Sequence, residues 1–165
     1  IFVRRVGTII FSLMVVLWFL SGYPAPPAGA TGPAIQYSLA GALGHALQPL
    51  FAPIGFNWQI SIALVPGLAA REVAVGALGT VYSLSAAGDA VADTLAPVIA
   101  QGWSLATAYA LLAWYVFAPQ GISTLAVVRR ETNSWRYPLA MTAYLFVLAY
   151  AAAFATYRIA LWLGA

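Results

Sequence analysis

Four long apolar runs dominate this 165-residue chain: residues 6–23, 58–82, 103–128 and 137–157. A bilayer's hydrocarbon core takes about 20 helical residues to cross, and each run is near or above that length. Hydrophobic residue types make up 63% of the chain and charged types 7%, against roughly 45–50% and 25% in soluble domains. A soluble fold of this length could not enclose so much apolar surface. The expected fold class is therefore an all-α integral membrane protein, a helical bundle with interrupted or re-entrant helices.

The stretch 62–82, IALVPGLAAREVAVGALGTVY, organises the rest. It has the length of a span, yet Pro66 and Gly67 lie near its start and Arg71 and Glu72 near its middle. A charge at the bilayer centre costs roughly 2.5–3.5 kcal/mol on insertion scales, so such residues mark substrate or ion paths. Residues 103–128 are interrupted as well, by Ala118-Pro119-Gln120-Gly121. Pro66 and Pro119 have no N–H for the carbonyls of Ile62 and Tyr115. Paired interruptions of this kind point to a midplane binding site in transporters.

On a helix, Val65, Ala69, Glu72, Gly76, Gly79 and Ser83 share one stripe on which Glu72 is the only large group. Thr80 follows Gly79. On the third run Gln120 and Thr124 share a face, with Ser123 beside them and Gly121 at the break. A carboxylate with amide and hydroxyl oxygens suits a divalent cation or a proton relay. The expected path residues are Glu72, Gly76, Gly79, Thr80, Pro119, Gln120, Gly121, Ser123 and Thr124. Glu72 is the candidate metal ligand. His45, the single histidine, is weighed as a ligand and fits better as a surface group on an amphipathic helix. Arg71, Arg129, Arg130 and Glu131 are read as structural charge, and Gly76 and Gly79 have a competing reading as packing residues.

The organisation around these residues is simple. Residues 1–82 form one module: a span at 6–23, a Pro/Gly linker at 24–33, an interfacial or re-entrant helix at 34–56 and an interrupted span at 58–82. Residues 83–102, which carry Asp89 and Asp93, form a solvent-side helix and loop. Residues 103–165 hold an interrupted span at 103–128 and a span at 137–157 with its tail. Two topologies stay open. Four simple spans would separate Arg129, Arg130 and Arg136 from Arg4 and Arg5, against the positive-inside rule. A re-entrant 34–82 would bring both clusters to one side.

All seven basic residues are Arg and the net charge is +3, with the arginines flanking apolar runs. That is a topology signal and gives no footing for nucleic acid. Without cysteine there is no disulfide, thiolate metal site or catalytic thiol. No catalytic motif or GxxxxGK[ST] phosphate loop occurs, so this chain is not expected to be an enzyme. Because it begins at Ile1 it is read as a piece of a longer protein.

Several motifs resemble one family in order. They are Arg5-Val6-Gly7-Thr8-Ile9-Ile10 through Trp18-Phe19-Leu20, Leu43-Gly44 through Pro49-Leu50-Phe51, and Pro53-Ile54-Gly55-Phe56-Asn57-Trp58. Ala69-Ala70-Arg71-Glu72-Val73 with Leu78-Gly79-Thr80-Val81-Tyr82 is the most specific. Ile122-Ser123-Thr124-Leu125-Ala126 and Arg129-Arg130-Glu131-Thr132 with Ser134-Trp135 complete the set. Over nearly the whole chain these are similar to the second Gate and terminal helices of the bacterial ferrous iron transporter family FeoB. The resemblance implies a multi-pass inner-membrane importer of Fe(II), with the bilayer and the rest of the parent as partners and a homo-oligomer as its assembly. It also implies a G domain using GTP and Mg in the parent, outside this chain. Many family members carry a Cys where this sequence has Gly121, so any Fe(II) ligation here would fall to oxygen and imidazole donors. The alternatives are a Gate-type transporter of nucleosides or another divalent metal, and a membrane assembly module that transports nothing.

Overall fold

A computed structural model describes residues 2–27, 29, 31–69, 71–85, 102–119 and 121–164, with some helical residues described by backbone alone. The expected solvent-side residues 86–101, with Asp89 and Asp93, lie outside the described residues, as does Gln120. The described elements are helical: α1 (Phe2–Gly22), α2 (Leu39–Phe51), α3 (Trp58–Ala69), α4 (Arg71–Ser85), α5 (Leu105–Phe117), α6 (Ile122–Thr132) and α7 (Arg136–Trp162). Short 3-10 turns at Ala34–Tyr37 and Ala52–Ile54 flank α2.

The helix starts are chemically marked. Ser38 caps α2 by accepting the Gly41 N–H at 3.2 Å, and Ser104 caps α5 by accepting the Thr107 N–H at 3.1 Å. Asn57 precedes α3, and its Oδ1 accepts the Ile60 N–H at 2.9 Å. Each cap satisfies a backbone donor that the first helical turn leaves without a partner.

The stretch 58–82 differs from a single interrupted span. Run as one helix it would hold Asn57 and Tyr82 about 37 Å apart. Instead the Asn57 Nδ2 donates to the Tyr82 hydroxyl at 2.8 Å. A Cβ added at Gly67 would stand 3.0 Å from the Ala74 Cβ, a contact only two facing helices can make. So α3 and α4 form a hairpin, with its tip between Ala69 and Arg71. Pro66 is not the break. The helix runs through it to Ala69, losing one hydrogen bond inside a well-packed region where Pro66 is buried.

One end of the bundle can be identified from its polar contacts. The Trp103 indole N–H and the Asn57 amide both donate to the Tyr82 hydroxyl, joining the starts of α3 and α5 to the end of α4. The Leu39 N–H donates to the Tyr23 carbonyl at 2.9 Å, tying α2 to the end of α1. The α2 segment meets α3 with a 98° bend and touches it at Trp58 and Ile62 through the close approach of Gly44. Hence α2 lies across the bundle at that same end. Its Leu39, Leu43 and Leu50 are exposed, as an interfacial helix requires.

Helix α7 runs antiparallel to α5. The Trp114 and Phe146 rings meet edge-on at 5.3 Å, and Tyr157 packs against Gly55 beside Thr107, which donates to the Gly55 carbonyl. Arg136, ten residues before Phe146, is thus about 15 Å farther toward the opposite end. The end of α6, with Arg129 and Arg130, lies there too, and so does the start of α1 with Arg4 and Arg5. Arg129 stacks over the Trp135 ring at 4.2 Å. Arg130 and Glu131 form an exposed pair at 3.3 Å that contributes little to stability.

Large apolar side chains such as Trp114 and Ile60 are buried, but small residues share the core with them and many large ones face outward. Ala63, Ala77, Ala106, Ala110, Ala149 and Ala153 are fully buried, whereas Phe11 is 71% and Val147 66% exposed. Small residues let helix backbones approach where apolar burial gives no drive, as in lipid. Among the described helices, Arg136–Trp162 alone is long and apolar enough to cross a membrane by itself; Leu39–Ile54 with Trp58–Leu68 passes as a bent pair.

Candidate functional site

The hairpin tip puts Arg71 and Glu72 in the first turn of α4. A carboxylate is favoured at a helix N-terminus and a guanidinium is not, because the backbone N–H groups there carry partial positive charge. The side chains of Arg71, Glu72 and Ser123 are outside the described set.

Three distances give the depth of this region. Measured along the helix axes from the Asn57–Tyr82–Trp103 end, Gly67 lies about 15 Å in, Arg71 about 17 Å and Tyr115 about 18 Å. A membrane core is about 30 Å thick, so all three lie near its middle. The tip of the hairpin and the last turn of α5 are at one level.

They are also in contact. The Tyr115 hydroxyl lies 3.5 Å from a Cβ added at Gly67. Tyr115 is half-buried, its hydroxyl oxygen is shielded from solvent, and it has no hydrogen-bond partner among the described residues. Four residues on, Pro119 closes α5 without an N–H for the Tyr115 carbonyl. The chain then runs through Gly121 into α6, whose first turn holds Ser123 and Thr124. The Thr124 N–H donates to the Gly121 carbonyl at 2.9 Å.

Other expected residues behave differently. The Thr80 hydroxyl donates to the Gly76 carbonyl at 2.9 Å within its own helix. Gly76 is exposed, and an added Cβ would meet only Met14 at an ordinary 3.6 Å. Gly79 is half-buried on the same helix. His45 lies on α2, away from both breaks, with its ring stacked on Trp58 at 5.0 Å. Among the described residues no three His, Cys, Asp or Glu side chains gather as a metal site. Sequence reasoning passed over the Tyr115 hydroxyl, though Pro119 four residues later had already singled out its carbonyl.

Interrupted helices that meet near mid-depth are a recurring transporter device. The family model for Gate, described as Nucleoside recognition, matches residues 3–135. The chain belongs to the Gate family. Its fold is accordingly an all-α membrane fold, and its place is a membrane. The chain is similar to the Fe(2+) transporter FeoB of Leptospira interrogans serogroup Icterohaemorrhagiae serovar copenhageni, at 33% identity over 96% of this chain and 25% of the relative. It is 35% identical to that of Methanocaldococcus jannaschii, over 92% of this chain and 22% of the relative. The Staphylococcus aureus (strain COL) protein is also 35% identical, over 96% of this chain and 23% of the relative. The chain thus spans about a quarter of the length of these Gate-family relatives. No solved structure matches it.

Proposed function

We propose that this Gate chain is the membrane part of a ferrous iron importer, and that the α3–α4 tip and the α5–α6 break are two walls of its Fe(II) path. The observation that carries the reading is the contact of Tyr115 with the hairpin at Gly67, in a chain 33–35% identical to Fe(2+) transporter FeoB proteins. Glu72 supplies the charge, and Gln120, Ser123 and Thr124 supply neutral oxygens. Such a donor set is hard, weak and multi-sited, so that a cation both binds and leaves. The cytoplasmic side of an inner membrane is the side of Arg4, Arg5, Arg129, Arg130 and Arg136, and the protein is multi-pass. The rest of the parent holds the GTP- and Mg-binding domain, and the assembly is a homo-oligomer.

The test uses the full-length parent reconstituted in vesicles. Radiolabelled Fe(II) should accumulate, and unlabelled Fe(II) should compete while nucleosides should not. Uptake of a labelled nucleoside without iron uptake would favour the reading suggested by the family model's description. Absence of both would leave an assembly module.

A further inference from the structure

Tyr115 is an odd choice for packing alone. Its hydroxyl is withdrawn from solvent without a hydrogen bond to any described residue, and phenylalanine would fill the same space without stranding a polar group. Ser21, the other described buried hydroxyl without a partner, can rotate onto a carbonyl of its own helix. A tyrosine hydroxyl is too far from its backbone for that. Its oxygen is held instead against Gly67 of the hairpin, at mid-depth, one turn before Pro119.

We infer that the Tyr115 hydroxyl, closed to solvent in this structure, becomes part of the path wall when a divalent cation passes between the α3–α4 hairpin and α5, and there hydrogen-bonds the ion's water shell. The inference rests on the transport reading above. A phenol is a poor direct ligand while protonated, but it both donates and accepts hydrogen bonds. It can therefore orient bound water as the cation exchanges water for protein oxygens. Gly67 belongs to the same arrangement, since a side chain there would crowd Ala74 and stand in ordinary contact with the hydroxyl.

The experiment compares Tyr115→Phe with the unsubstituted parent in vesicles, recording Fe(II) uptake against concentration and the thermal midpoint of the same preparation. The expected result is about tenfold slower uptake at limiting Fe(II), the effect of losing one hydrogen bond to a charged complex. The thermal midpoint should be equal or higher. Unchanged uptake would overturn the inference and leave the hydroxyl beside at most a structural water. Slower uptake with a lowered midpoint would also overturn it, by making the hydroxyl structural. If the unsubstituted protein takes up no Fe(II), the transport reading fails and this inference falls with it, a result visible before any substitution is made.

Discussion

The Asn57 amide nitrogen donates to the Tyr82 hydroxyl at 2.8 Å across 25 residues of sequence. That bond brings the start of α3 to the end of α4, so the charged segment between them is the tip of a hairpin. The Trp103 indole N–H donates to the same oxygen and brings α5 to the same point. Tyr82→Phe should strand both donors. The expected cost is about 1–3 kcal/mol, read as a lowered thermal midpoint in detergent. An unchanged midpoint would mean that this junction does not hold the hairpin closed.

Two glycines should respond in opposite ways. Gly55 has φ +81 and is packed against the Tyr157 ring, so Gly55→Ala meets both backbone strain and a clash. A loss of about 1–3 kcal/mol is expected. Gly76 is helical, with only Met14 nearby at 3.6 Å from an added Cβ. Gly76→Ala should stabilise by about 0.5–1 kcal/mol through helix propensity. Melting curves of the two variants, measured side by side, check the pair. Reduced iron uptake in a stable Gly76→Ala variant would assign that glycine to the path rather than to packing.

Of the two topologies the arginines allowed, we propose the one with both clusters on one side, because the hairpin supports it. It enters and leaves at one end, so α5 starts where α4 finishes and Arg129 and Arg130 fall at the end of Arg4 and Arg5. The chain has no cysteine, which suits single-cysteine labelling provided any cysteines elsewhere in the parent are replaced. Ala25→Cys and Gly102→Cys should react with a membrane-impermeant thiol reagent from the outer face. Glu131→Cys should react only when the inner face is opened. Labelling of all three from the same face would rule out the hairpin topology.

What could be read from the sequence was local. The charge-free run 137–157, the Pro/Gly composition of 24–33 and the short helix expected within 34–56 each follow from neighbouring residues. The fold-back of 58–82 does not. No glycine or proline stands between the end of α3 at Ala69 and the start of α4 at Arg71 to announce a turn, and the segment's length equals that of a span. Pro66 drew attention to the wrong place because one missing hydrogen bond is tolerated in a packed helix. The tip at Arg71 becomes legible only through the pairing of Gly67 with Ala74 and of Asn57 with Tyr82, contacts between residues distant along the chain. Glu72 was singled out by its charge, whereas Tyr115 had no such local mark.

The central claim is that the hairpin tip is a wall of the Fe(II) path, with Glu72 as its charge. Fe(II) uptake by vesicles holding the full-length Glu72→Gln protein tests it most directly, alongside a check that the variant inserts and melts like the unsubstituted protein. A loss of about 10–100-fold at limiting Fe(II) is expected, the range seen when a metal site loses a supporting group. Uptake equal to that of the unsubstituted protein, with insertion intact, would contradict it and return Glu72 to a structural ion pair.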